Sequence, residues 1–129
     1  MEHDPLSAVL LQQAVELNST AGRLRDLPDM KHRRVLTNRI SDSVMLTTAA
    51  LNTAASRWHS DVLSRLRRIS GLRAAESGLR ELDHLISGAR AKGYVTTEEA
   101  EPLFELLARI TAMVDALANG ERQEIPRAA

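Results

Sequence analysis

Between Ser77 and Asn119 the apolar residues recur every three or four positions, stop at a glycine and resume after a threonine. Leu79, Leu82, Ile86 and Ala89 share one face of a helix that Gly93 ends, because a residue without Cβ takes the left-handed C′ conformation without strain. Thr96 and Glu99 have the spacing of a capping box, in which hydroxyl and carboxylate accept the first free amide protons of the next helix. Leu103, Leu106, Leu107, Ile110, Met113, Val114 and Leu117 then restart the stripe. A helix hairpin with two apolar faces needs other helices to cover it, so the chain is predicted to be all-α.

The remainder supplies those helices. A first helix is predicted over about 5–25, opened by Pro5 and turning Leu6, Leu10, Leu17, Ala21 and Leu24 inward. Asp26-Leu27-Pro28-Asp29 breaks it, since Pro28 disfavours helical geometry at Leu27. A second helix over about 29–58 places Leu36, Ile40, Val44, Thr47, Leu51, Ala55 and Trp58 on one face. Met45, Leu46, Ala49 and Ala50 form a weaker strip beside that face, and so wide a stripe implies contact on two sides, within the bundle or between subunits. After His59, Ser60 or Asp61 caps a third helix over about 61–92, with Val62, Leu66, Ile69, Leu72, Ala75, Leu79, Leu82 and Ile86 inward. Gly78 and Gly88 within it either admit a neighbouring helix or mark a bend. The fourth helix, about 97–119, contains Pro102, which predicts a slight kink or a late start. Asn119-Gly120 reads as a C-cap and 120–129 as a loose tail. Helices joined by short connections favour antiparallel neighbours, so residues 1–129 are expected to form a single antiparallel up-down-up-down four-helix bundle.

Composition narrows the function classes. The chain has no cysteine, which excludes disulfides and thiolate metal sites, and a reducing cytoplasm is the expected compartment. The start lacks a basic segment before its apolar run and nothing approaches about 18 consecutive apolar residues, so neither a signal peptide nor a membrane span is expected. One Trp, one Tyr and one Phe leave little for stacking on single-stranded bases. No nucleophile elbow or glycine-rich phosphate loop is present, and Glu98, Glu99 and Glu101 suit the first turn of a helix without a catalytic role. Glu81 and His84 form one Glu-x-x-His pair, where a di-iron bundle uses two, and His3, His32 and His59 lack ligand spacing. No enzyme activity, metal or cofactor is expected.

Charge sums to zero from 17 basic and 17 acidic residues but is unevenly placed. Seven Lys or Arg stand against four acids over 61–92, while Arg109 alone faces Glu98, Glu99, Glu101, Glu105 and Asp115 over 93–119. A subunit with a basic and an acidic side complements copies of itself arranged head to tail, and a head-to-tail contact that closes gives a ring. For nucleic acid, DNA or RNA, the candidate residues are Lys31, Arg33 and Arg34 on the second helix and Arg65, Arg67, Arg68 and Arg73 early in the third. An antiparallel arrangement makes these two separate patches, which a ring would repeat about its axis. The alternative is that these arginines meet acidic neighbours in a purely structural or protein-binding scaffold.

Three segments carry a resemblance. Leu79-Arg80-Glu81-Leu82 with Ala91-Lys92-Gly93-Tyr94-Val95-Thr96-Thr97-Glu98-Glu99, Leu27-Pro28 with Arg33, Leu36, Arg39 and Ile40, and the helix from Leu103 to Leu117 are similar to a bacterial four-helix-bundle family. That family comprises the proteins of 23S rRNA intervening sequences and the accessory variability proteins of diversity-generating retroelements. The match covers about Leu10 to Asn119. The resemblance implies a homopentameric ring and, in the retroelement branch, a nucleic-acid-binding accessory role alongside a reverse transcriptase.

Overall fold

The computed structural model describes residues 5–55 and 61–124, with side chains described for 7–55 and 61–120. Among these residues there is no strand. Five helices follow one another: α1 (Pro5–Arg25), α2 (Pro28–Lys31), α3 (Arg34–Ala55), α4 (Val62–Ala91) and α5 (Thr97–Glu124). The most extensive packing is α3 on α4; α1 lies on α3, α5 lies on α4, and α5 also touches α1. Leu17, Ile40, Leu51, Leu82, Ile86, Leu103 and Ile110 are wholly buried in one aliphatic core. Each such side chain contributes about 1.5–3 kcal/mol relative to leaving it in water.

The helix ends follow the chemistry written in the sequence. Gly93 has φ +77°, the Tyr94 N–H donates to the Ala89 carbonyl at 2.9 Å and the Gly93 N–H to that of Arg90 at 3.0 Å. These two bonds make a Schellman motif, so two of the carbonyls left free at the end of α4 are satisfied within the turn. At the start of α5 the Thr96 N–H donates to Glu99 Oε1 at 2.9 Å and the Glu99 N–H to Thr96 Oγ1 at 3.0 Å. At α4 the cap is Asp61, whose Oδ1 accepts the Ser64 N–H at 2.8 Å.

Several expectations are revised. The predicted second helix divides into α2 and α3, because Pro28 starts a single turn that His32 ends, and Met30 anchors that turn with no exposed surface. Trp58, the predicted end of its apolar face, lies outside the described residues. Val62 and Leu66 were expected inward but are 46% and 47% exposed. The stripe drawn from Val62 to Ile86 steps about 3.4 residues at a time, less than the 3.6 of the helix, so its start lies about 120° from its end. Pro102 neither delays nor ends α5, since the bond it omits would reach the carbonyl of Glu98, an exposed residue open to water. That helix also runs past Gly120 to Glu124, carried by good helix formers, Glu121, Arg122, Gln123 and Glu124.

The α3–α4 contact depends on two glycines. A Cβ on Gly71 would sit 3.3 Å from the Ala50 carbonyl oxygen, and one on Gly78 would sit 2.0 Å from Thr47 Oγ1. Later residues of α4 therefore meet earlier residues of α3, and this pair runs antiparallel.

Candidate functional site

Of the seven candidate cations, Lys31, Arg34, Arg67 and Arg73 are exposed and Arg65 is half-buried. Arg33 is held in place: its Nε donates to the Asp29 carbonyl at 2.9 Å, and its guanidinium stacks 3.4 Å from the centre of the Tyr94 ring. Arg68 is 3% exposed, which removes it from any phosphate-binding surface. Its position explains this. Arg68 precedes Leu72, Ala75, Leu79, Leu82 and Ile86 at helical spacing, so it occupies the core-facing stripe of α4 where a search restricted to apolar residues selects Leu66 instead.

The α2–α3 corner and the last turns of α4 enclose a groove of about 570 Å³. Arg33, Arg34, Arg39 and Lys92 line it together with His32 and His84, and no carboxylate does. Arg39 Nη2 reaches out of that set to Glu81 Oε1 at 3.1 Å. His32 Nδ1 lies 3.1 Å from the Pro28 carbonyl, to which Nδ1–H donates, leaving Nε2 directed away from the backbone. The apolar part of the lining is Val35, Leu36, Leu85 and Ala89. The groove lies where α3 begins, with no acidic residue in its first turn. The first N–H groups of a helix have no partner within it and carry its positive end, which adds to the side-chain charge.

The sequence places Lys31, Arg33 and Arg34 apart from Arg67 and Arg73, and the structure agrees. Arg34 shares its groove with Lys92, about 28 Å along α4 from Arg73. Sequence reasoning assigned no ligand role to His32, Arg39, His84, Lys92 or Tyr94. Lys92 and Tyr94 were legible only as parts of a helix stop, because nothing in the sequence says which cations the α2 turn faces.

Three other surfaces bear on function. Glu98, Glu99, Glu101, Glu105 and Asp115 are exposed on α5. Of the second apolar strip, Met45 and Leu46 are 68% and 70% exposed and Ala49 is exposed, while Ala50 packs against the core; Leu63 near the start of α4 is separately 59% exposed. Of the Glu-x-x-His pair, Glu81 binds Arg39 and His84 lines the groove. Among the described residues no three His, Asp or Glu converge as metal ligands, and no helix is long and apolar enough to cross a membrane.

Comparisons with protein-family models, with curated proteins and with solved structures find no match for this chain.

Proposed function

We propose that this chain is a non-catalytic, self-associating helical bundle that acts as an accessory protein for nucleic acid. The observation that carries the reading is the exposed pair Met45 and Leu46 on α3, with Val62, Leu63 and Leu66 a second, separate exposed apolar group at the start of α4. Large side chains at about half to two-thirds exposure support coverage of this surface by another chain. The up-down-up-down arrangement belongs to the same reading. Its support is the order of packing, α1 to α3 to α4 to α5 and back to α1, with an antiparallel α3–α4 pair.

The charges complete it. A basic α3–α4 side and an acidic α5 side complement one another between copies arranged head to tail, and the family resemblance gives the ring its five subunits and suggests a reverse transcriptase as partner. Exposed Lys31, Arg34, Arg67 and Arg73 remain for phosphates, and repetition around a ring multiplies weak contacts. A second reading, a protein-binding scaffold whose charges serve assembly alone, is favoured by Arg68, one of the seven cations, being buried inside the subunit.

Sedimentation velocity together with fluorescence anisotropy of labelled duplex DNA, single-stranded DNA and structured RNA tests both halves. A species several-fold heavier than 14.2 kDa, with binding that weakens steeply between about 50 and 200 mM salt, is the expected result. A monomer with no nucleic-acid binding at the lower salt overturns the reading; an oligomer without binding leaves the scaffold.

A further inference from the structure

We infer that the groove between the α2–α3 corner and the end of α4 is a binding site for a phosphomonoester carrying an apolar or ring-shaped body. This goes beyond the binding of nucleic-acid backbones, since it concerns one concave site and a terminal phosphate.

Three properties of the groove point to that chemistry. Its cations converge: Arg33, Arg34 and Lys92 come from two separate segments onto one cavity, and with Arg39 paired to Glu81 they leave a net positive lining without a carboxylate. Guanidinium forks match phosphate oxygens bidentately and the lysine adds a point charge, which favours a dianion over a single carboxylate. The main cation is also preorganised. Arg33 is fixed through Nε to Asp29 and by stacking on Tyr94, so its other nitrogens are presented without the entropy cost of ordering a free side chain. The Gly93 turn bonds the Ala89 and Arg90 carbonyls, and Lys92 sets its charge against the negative end of α4.

The remaining lining selects for a body beyond the phosphate. A volume of about 570 Å³ exceeds what inorganic phosphate needs and lies within the range of small-molecule sites, about 300–1,000 Å³. Leu36, Leu85 and Ala89 offer an apolar floor to that body. Gly88 faces open space at the same floor, with nothing within 4 Å of a Cβ placed there. The phosphomonoester has two possible sources, a free small molecule such as a mononucleotide or the 5′-phosphate end of a nucleic-acid strand.

Titration calorimetry with phenyl phosphate, inorganic phosphate and phenol tests the site on the full chain. Phenyl phosphate is expected to bind saturably, inorganic phosphate more weakly and phenol not at all. Reversing the exposed charges in an Arg34→Glu, Lys92→Glu variant is expected to weaken phenyl phosphate by at least about tenfold. Gly88→Leu fills the floor without changing charge and is expected to lower affinity while the melting temperature holds or rises. Arg109→Glu, an exposed cation on α5 outside the groove lining, is expected to leave this affinity unchanged. Competition by adenosine 5′-monophosphate identifies a free ligand, and competition by a 5′-phosphorylated but not a 5′-hydroxyl oligothymidylate identifies a strand end. Equal binding of phenol, equal competition by the 5′-hydroxyl strand, or insensitivity to both groove variants overturns the inference. So does absence of phenyl phosphate binding, even where the groove variants dissociate an oligomer; the groove then receives the acidic first turn of α5 from another copy.

Discussion

Glu76 on α4, its side chain 16% exposed, faces the Asp115 carboxyl of α5, and its own carboxyl is held above its ordinary range. Burial is the first cause, followed by the hydrogen bond and negative charge of Asp115; Arg80, 3.7 Å away, and Arg73 offset only part of this. A raised carboxyl pKa means that the folded protein holds this proton more tightly than the unfolded chain does. The contribution of Glu76 is therefore favourable at acid pH and is lost as pH rises through the raised value. Glu76→Gln is expected to raise Tm at pH 7, with the gap closing below the ordinary carboxylate range. Thermal melts of both proteins from acid to neutral pH check this, and a gap that widens on acidification contradicts it. Arg68 makes a different point at the same scale. Its charge reads as surface, yet its register along α4 is that of the core, and register decided where it went.

Along α4 two glycines that look alike in sequence do different things. A Cβ on Gly78 would overlap Thr47 Oγ1, and Thr47 cannot swing away because it is wholly buried and β-branched, with its hydroxyl donating to the Ser43 carbonyl at 2.7 Å. Gly78→Ala is expected to destabilise by about 1–3 kcal/mol through forced separation of α3 and α4, read as a lower urea midpoint at unchanged m. Gly88 meets nothing, so Gly88→Ala is expected to stabilise by about 0.5–1 kcal/mol through helix propensity alone. An equal effect at both sites would mean that the α3–α4 approach is not what Gly78 provides. The turns around these helices were easier to read. Gly93, Thr96, Glu99 and Asp61 act through bonds to residues within five positions, so the sequence alone contains both partners.

For the molecule as a whole, the outward strip and the charge division predict how assembly responds to substitution. Met45→Glu with Leu46→Glu removes exposed apolar surface without touching the core, so the variant is expected to sediment as a lighter species with its helicity intact. Unchanged sedimentation would place the subunit contact elsewhere. Arg67→Glu with Arg73→Glu is expected to reduce the salt slope of nucleic-acid binding by about two while the oligomer persists. Dissociation instead would assign those arginines to acidic neighbours between subunits. The sequence by itself determined α1, α4 and the start of α5, the caps at Asp61, Gly93 and Thr96 and most of the core, because apolar spacing and capping chemistry operate over three to five residues of one chain. Only the tertiary structure decided that Met45 and Leu46 face out, that Arg68 faces in, that Gly78 rather than Gly88 admits a neighbour, and that Arg33, Arg34 and Lys92 share a groove. Each of these depends on the rotation of one helix against another, a quantity fixed by contacts between residues tens of positions apart.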